Sequence, residues 1–513
     1  MNALDEHSKP YWASVPPLKA RALDRSLTVD VAVIGSGIAG TSVAYELAAR
    51  GIKLAVLDRG KLGRGMTART SAHLAFQSDD LYQEVISRRG LKLAKLHYLS
   101  QRAAVDRIAQ IQESEEISCD FARLDGLLGL APDTKTSLLD EELKACHKLG
   151  YKEVEYIKAG RLARLSTAHG LRFPHQARFH PLKYVTGLHR ILQARGAALH
   201  ADTAVVEIAE RGGSVALKTD QGFIVRAGAV VIATNSPIDP KVAIHTKQAP
   251  YRTYVFAAPV PKGSIDDALY WDTADPYHYV RLQPEKSYDL LIAGGEDHRS
   301  GEADDALTRY RKLEEWTRER FPEIGRTTHR WSGQILEPVD YTAFVGRAPG
   351  KKNSYVATGD SGQGFTHGAV AGMLIADLIL KGSNPWEELH DPSRKTMNAL
   401  GQFIEENVTA VKNLAEYVLP GELKSTRTCK RGQGGILRRG LAKLAVSRDR
   451  KGKLHIRSAS CTHVGCIVHW NSFEQCWDCP CHGSHFAPDG SVLNAPAVLP
   501  LHPAGRITRP RRS

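Results

Sequence analysis

No apolar run in the chain reaches the roughly eighteen residues that a membrane-spanning helix requires, and residues 1–30 lack the apolar core of a secretory signal peptide. Both absences predict a cytoplasmic protein with no transmembrane segment. Cysteine is sparse until late in the chain: Cys119, Cys146 and Cys429 are scattered, whereas five of the eight cysteines fall in the last ninth. That distribution excludes a secreted disulfide scaffold. Zinc-finger, helix-turn-helix and aromatic RNA-binding signatures are also lacking, so the net charge of +13 does not predict a nucleic-acid partner. The charge is localised. Residues 424–513 hold 16 Lys/Arg against 4 Asp/Glu, while residues 1–423 hold 53 against 52. Such a segment suits steering of an acidic partner, contact with the preceding domain, or a solvated face. A chain of 513 residues exceeds the size of one core and predicts two or three domains.

The most informative stretch, residues 461–486, contains the pairs Cys461-x-His463 and Cys479-x-x-His482. Two thiolates and two imidazoles can hold zinc, so spacing alone leaves the metal open. Each pair is followed by a glycine (Gly465, Gly483), and a further cysteine stands beside each (Cys466, Cys481). The whole resembles a Rieske [2Fe-2S] domain of the high-potential, disulfide-bearing form. By that resemblance Cys461 and Cys479 hold one iron, His463 and His482 hold the other, and Cys466 bonds to Cys481. Neutral imidazoles make such a cluster less negative and raise its potential into the range of about −150 to +300 mV. Ser484 stands where Rieske domains place a hydroxyl against a cluster sulfur, and Phe486 replaces a frequent tyrosine, which implies a potential below the top of that range. Cys476 is expected to be a reduced thiol.

Residues 29–34 (VDVAVI) read as an apolar strand that leads into Gly35, Gly37 and Gly40, a helical pattern, a second strand over 53–57, and Asp58. This is a dinucleotide fingerprint in its required context. Gly35 permits the turn, Gly37 admits pyrophosphate, Gly40 lets the helix pack on the sheet, and Asp58 is placed to accept from a ribose hydroxyl. The Gly-, Thr-, Ser- and Arg-rich segment 60–76 follows, with Thr67, Arg69, Thr70 and Ser71. Here the chain resembles the D-amino-acid-oxidase-like flavoproteins, whose corresponding segment passes the flavin; Thr67 and Ser71 are the expected contacts. Residues 79–118 read as a helix with a stripe of Leu93, Leu96, Leu99, Ala103 and Ile108, and 120–128 as a strand and turn. Residues 173–191 read as a Pro-punctuated approach to a helix starting near Pro181, 198–208 as a strand, and 222–235 as a turn and apolar strand; the resemblance implies that Val205 to Ile208, Val206 among them, bring backbone groups to the adenine. Residues 250–295 alternate as an antiparallel sheet whose tyrosines pack in it or line an amine pocket, and 306–321 form a charged helix. Residues 355–379 resemble the same family's second flavin motif. Gly359, Asp360, Gly362 and Gly364 form its loop, Phe365 and Thr366 open the helix, and the helix N-terminus faces the flavin O2 side, where it stabilises developing negative charge. That loop has no cysteine, so the FAD is expected to be held non-covalently. No motif singles out a catalytic residue; His73, Trp331 and His367 are the candidates.

The expected architecture is an α/β Rossmann-like FAD-binding domain with an inserted antiparallel β-sheet substrate domain, followed by an all-β Rieske domain. Residues 1–28 form an N-terminal extension and 29–391 the flavoprotein unit. Within that unit, 29–118, 165–240 and 340–391 bind FAD, and 119–164 and 241–339 face substrate. Residues 392–421 make a helical linker, 422–505 the Rieske domain, with 432–435 as a turn, and 506–513 a basic tail. The resemblance implies a dehydrogenase or oxidase of an amine or amino acid. Its flavin accepts an electron pair, and the [2Fe-2S] cluster passes single electrons to a soluble acceptor, an acidic ferredoxin-like protein or a cytochrome. The alternative, an NAD(P)H-dependent flavin/Rieske reductase, normally carries a second GxGxxG, which is not found: Gly359–Gly364 has another spacing and Gly368–Gly372 falls in a helix. A Rieske oxygenase lacks its two-histidine, one-carboxylate iron site.

Overall fold

The computed structural model describes residues 1–158, 164–165, 169–239, 244–395, 416–440 and 442–504. An eight-stranded sheet runs in the order Phe344–Arg347, Ser354–Thr358, Ile224–Ile232, Leu27–Ile34, Leu54–Leu57, Ala198–His200; Ser214–Thr219 pairs with Ile224–Ile232 and carries Val205–Arg211 beyond it. Its central pairs are parallel. A parallel strand is covered on both faces, which is why residues 31–34 and 229–233 are continuously apolar, while Asp30 before them is exposed. The strand expected over 198–208 is two strands. The chain turns between them at Asp202, whose φ is +48°, and Thr203 anchors the turn by accepting from the Leu23 N–H.

Four helices matter for the site: α1 (Ile38–Ala48), α2 (Tyr82–Ser114), α3 (Pro181–Ala194) and α4 (Gly364–Lys381). Helix α3 begins where Pro181 predicts, and His180 caps it by accepting from the Lys183 N–H. Helices α1 and α4 approach closely: a Cβ on Gly372 would lie 2.8 Å from Ser42 Cβ, and one on Gly368 2.9 Å from Ile38 Cγ1. These two glycines therefore serve helix packing. By length and composition α4 could cross a membrane, yet 67% of it is buried inside the fold, where it acts as a core helix.

The stripe expected on α2 is corrected. Its buried face is Ala94, His97, Tyr98, Gln101, Val105 and Ile108, whereas Leu99 is 42% exposed. The helix is interrupted at Gly90 (φ +75°), and polar residues that periodicity assigns to solvent are packed inside. Tyr98, for example, stacks on Tyr151.

A nine-stranded sheet forms a second layer, in the order His329–Pro338, Gln248–Pro261, Tyr288–Arg299, His278–Pro284, Leu269–Asp272, Ala122–Gly129, His169–Arg178, His73–Leu74, with Glu155–Lys158 on His169–Arg178. The antiparallel pairing of residues 248–299 agrees with the alternation in the sequence. His169–Arg178, read only as an approach to α3, is a ten-residue strand of this sheet, so part of the stretch assigned to FAD binding belongs here. Pro174 and the positive φ of His175 hid its pattern.

The C-terminal domain combines a three-stranded sheet (Gln433–Arg439, Ala442–Arg448, Leu454–Ser458) with a four-stranded one (His469–Asn471, Cys476–Asp478, His485–Phe486, Val492–Asn494). Residues 433–435, expected in a turn, open its first strand; Gly434 is glycine because a Cβ there would strike Trp470. Most of the helix expected over 392–421, and the tail 506–513, lie outside the described residues.

Candidate active site and cluster site

A long cavity begins at the fingerprint, lined by Gly35, Gly37 and Asp58, and passes Thr67, Ser71 and His73. It continues between the loop 359–365 and the nine-stranded sheet. Gly35 has φ +100°, and a Cβ there would strike Ala233 O; one on Gly40 would strike Gly35 O, so Gly40 serves the close packing of α1 on the sheet and does not itself line the cavity. Asp58 lies at the end of Leu54–Leu57, where it accepts from Ser36 N, Ser36 Oγ and Gly60 N. Thr67 Oγ1 accepts from Ile38 N at 3.0 Å and would lie 2.7 Å from a Cβ on Gly37. Glycines thus clear a groove beside the α1 N-terminus, as a dinucleotide needs. Farther along, Asn235 Nδ2 and Asp360 Oδ1 are buried without a partner, two polar groups suited to a large polar cofactor.

The remaining candidates divide. Gly359, Asp360, Gly362, Gly364 and Phe365 line the cavity. Thr366 does not; its Oγ1 donates to Ala75 O and ties α4 to the preceding loop. Val205, and not Val206, reaches the cavity, because the pairing with Ser214–Thr219 is irregular between Val205 and Glu207. His73 and His367 both line it, held neutral by burial, which lowers their pKa values to about 3 and about 4. Trp331 is fully buried in a separate core with Trp12, its Nε1 donating to Arg69 O, and it does not line the cavity.

Two acids missed by motif reading, Asp79 and Asp297, join Asp360 of the second flavin motif at the far end of the cavity. Asp79, Asp297 and Asp360 line it together with Tyr277, Tyr279 and Trp271. Burial pushes Asp79 up to about 8, with Asp80 adding to the rise, and pushes Asp297 up to about 7 and Asp360 up to about 6. Behind them Ser361 Oγ donates to Glu337 (2.6 Å) and lies 3.0 Å from Asp80 Oδ2. Nothing local marks Asp79 and Asp297, which meet Asp360 only in the fold.

In the C-terminal domain Cys461 and Cys479 are 3% and 1% exposed, and the rings of His463 and His482 lie 5.1 Å apart. Cys466 is disulfide-bonded to Cys481, as the resemblance implies, and the sulfurs of Cys466, Cys479 and Cys481 lie within 4.8 Å of one another. His482 Nδ1 is buried with no partner, which fits a ligand nitrogen. Ser484 Oγ accepts from Ala497 N, and Cys476 is an unpaired buried thiol donating to Asp478.

Residues 30–378 match the model of the FAD dependent oxidoreductase (DAO) family, and residues 420–503 that of the Rieske [2Fe-2S] domain. The chain belongs to the DAO family of FAD-dependent oxidoreductases. It is such an oxidoreductase fused to a Rieske domain, and its cofactors are FAD and a Rieske-type [2Fe-2S] cluster. The YhfW protein of Bacillus subtilis (strain 168), named for a Rieske 2Fe-2S iron-sulfur protein, is 30% identical over 97% of each chain. Gamma-glutamylputrescine oxidoreductase of Escherichia coli (strain K12) is 25% identical over 73% of this chain and 90% of its own. The L-proline dehydrogenase of P. horikoshii shares the fold at TM-score 0.60 and 22% identity, covering 72% of this chain and 98% of that one.

The Rieske domain packs directly on the DAO domain. Gln334, which lines the cavity, donates from Nε2 to Gly483 O at 3.1 Å, and its Oε1 lies 2.7 Å from His485 Nε2. Gly483 adjoins the expected ligand His482, and a Cβ on it (φ +77°) would strike the Gln334 side chain. His245 of the DAO domain lies with its ring 4.8 Å from His463 and 5.3 Å from His482. Leu493, Asn494 and Ala495 wall the same cavity from the Rieske side. The contact is held by buried ions. Arg252 forks onto Asp478 at 2.8 and 2.9 Å, Arg69 meets Glu474 at 2.5 Å, and Glu6 from the N-terminal extension joins Arg252, Arg69 and His485.

Proposed function

We propose that the protein oxidises the C–N bond of an amine or amino acid at the DAO cavity and sends the electrons through its own Rieske domain to an external acceptor. The observation that carries this reading is the seating of the cluster loop on the cavity wall: Gln334 touches both the cavity and the backbone beside His482. When bound, FAD takes an electron pair from the substrate, and the cluster handles electrons singly.

Gly35, Gly37 and Asp58 would hold the ADP part of FAD, Thr67 and Ser71 its middle, and the 359–365 loop its flavin end. Cys461, Cys479, His463 and His482 would hold the cluster. Helix α4 starts at Gly364 with no side chain capping it, so its first N–H groups and its dipole favour negative charge at that end of the cavity. The neutral rings of His73 and His367 leave the carboxylates as the proton-accepting groups there. Oxidation requires the reacting nitrogen to be unprotonated, and Asp79, with its raised pKa, is suited to hold the proton it loses.

A one-electron acceptor of acidic character fits the Rieske domain, where Lys424, Arg427, Lys430, Arg431, Arg438 and Arg439 are exposed. A cytoplasmic setting belongs to the same reading. Anaerobic mixing with candidate amines tests it: bleaching of the flavin is expected to precede growth of the reduced-cluster EPR signal. Reduced flavin that persists beside oxidised cluster would defeat it, as would rapid bleaching by NADH with none by amines.

A further inference from the structure

We propose that the substrate is an aliphatic diamine or polyamine, bound through its cationic nitrogens, and not an amino acid. This rests on the amine-or-amino-acid reading above and chooses within it.

A carboxylate-bearing substrate is held best by a cation. Among the described residues no lysine lines the cavity, and two arginines do, Arg59 and Arg69. Arg69 has a fully buried side chain whose nitrogens are taken by Ser332 O, Ala3 O, Ser8 and Glu474. Arg59 follows Asp58 at the nucleotide end, where its Nη2 donates to Ala497 O. Arg281 lies nearby but is fully buried, donating to Ala72 O, Phe179 O, Leu282 O and Gln283.

What the cavity offers at its far end is acceptors. Asp79 and Asp297 supply two carboxyl groups beside the Asp360 loop that faces the cofactor. Asp297 Oδ1 is buried without a partner. Gln77 is 2% exposed and lines the same cavity; its Nε2 is engaged by Glu142 at 2.7 Å, while its Oε1 is buried with no partner. These two orphaned atoms are oxygens, which want N–H donors. Tyr277, Tyr279 and Trp271 add aromatic rings, whose faces attract ammonium groups. Carboxylates, amide oxygen and aromatic rings together recognise an alkylammonium ion, and they repel the carboxylate of an amino acid.

The chemistry balances without a further reagent. At one terminal R–CH2–NH2 the carbon loses a hydride and the nitrogen a proton, leaving R–CH=NH. The FAD of the DAO family takes the electron pair, and water converts the imine to aldehyde and ammonia. The second, protonated nitrogen stays behind as the anchoring charge.

The test uses the full-length protein with both cofactors. Anaerobic bleaching is followed with putrescine, cadaverine and spermidine against glycine, L-proline, D-alanine and sarcosine. Binding of hexamethonium, a dication that cannot be oxidised in this way, is read from the flavin absorbance and compared with benzoate. The expected result is bleaching by the polyamines at least 100-fold more efficient than by any amino acid, and hexamethonium binding with benzoate excluded. Asp297→Asn and, separately, Asp79→Asn are expected to weaken hexamethonium binding at least tenfold with the cluster EPR signal unchanged; two variants guard against one that misfolds. Amino acids that bleach while polyamines are inert overturn this inference and leave C–N oxidation standing. Unchanged hexamethonium binding in both variants also overturns it. Bleaching by neither class overturns the underlying reading as well.

Discussion

Two regions of this molecule bury several carboxylates each, and they treat them in opposite ways. At the domain contact, burial alone would push Glu6 and Asp478 upward, yet Arg69 and Arg252 hold the first, and Arg252 and His485 the second, below the ordinary carboxylate range. At the far end of the cavity Asp79, Asp297 and Asp360 meet no comparable arginine, and burial raises all three. A buried charge is tolerated when paired and otherwise takes up a proton. The comparison separates a finished ionic joint, which is structural, from an unfinished one that awaits a cation from outside.

The largest expected effect comes from breaking the finished joint. Arg252→Met should leave Glu6 and Asp478 buried with one cation fewer, at about 3–5 kcal/mol, and undock the Rieske domain from the DAO domain. Urea unfolding should show a lower midpoint, and proteolysis should release the C-terminal domain earlier. The unfinished joint should respond the other way: Asp297→Asn removes an uncompensated acid and is expected to stabilise the amine-free protein by about 1 kcal/mol, read as a higher unfolding midpoint.

The pH dependences should differ in the same sense. Asp297 has a folded pKa near 7 against an ordinary 3.8, so the native state binds the extra proton between these values and stability falls as pH rises through that window. Asp297→Asn should flatten that slope in thermal scans of the amine-free protein. Glu6 has a folded pKa below its ordinary 4.5, so its contribution is full above pH 4.5 and is lost on acidification below it. Hydrogen exchange at the domain contact should rise on that acidic side alone.

Smaller effects probe the bridge between the regions. Gln334→Ala removes the partner of Gly483 O and His485 and is expected to cost about 1 kcal/mol. Its sharper readout is kinetic: cluster reduction should slow relative to flavin bleaching, measured by freeze-quench EPR. Ser484→Ala should lower the cluster potential by roughly 40 mV, the equivalent of about 1 kcal/mol for one electron, in a redox titration.

Much of the fold was legible because its signals are local. The strand before Gly35, the Gly35–Gly37–Gly40 spacing and the acid Asp58 lie within one supersecondary unit, and the structure places all but Gly40 on the cavity. The Cys466–Cys481 bond is likewise present as the resemblance implies. Periodicity failed where packing or backbone overrode it. The buried face of α2 carries His97 and Gln101, and His169–Arg178 hides a strand behind Pro174 and a positive φ at His175. Val206 missed by one position because strand alternation allows no error smaller than a face.

Sequence alone determined which chemistries the chain houses. A nucleotide groove and a ligand quartet are each built from residues a few positions apart, so their geometry is written in short spacings and turn glycines. Only the tertiary structure decided that the two sites share a wall through Gln334, that Glu6 clasps the domains, and that Asp79, Asp297 and Asp360 converge with no lysine or arginine ion-paired to them among the described residues. Those facts depend on contacts between residues tens to hundreds of positions apart, and whether a buried carboxylate is paired depends on what the whole chain brings beside it.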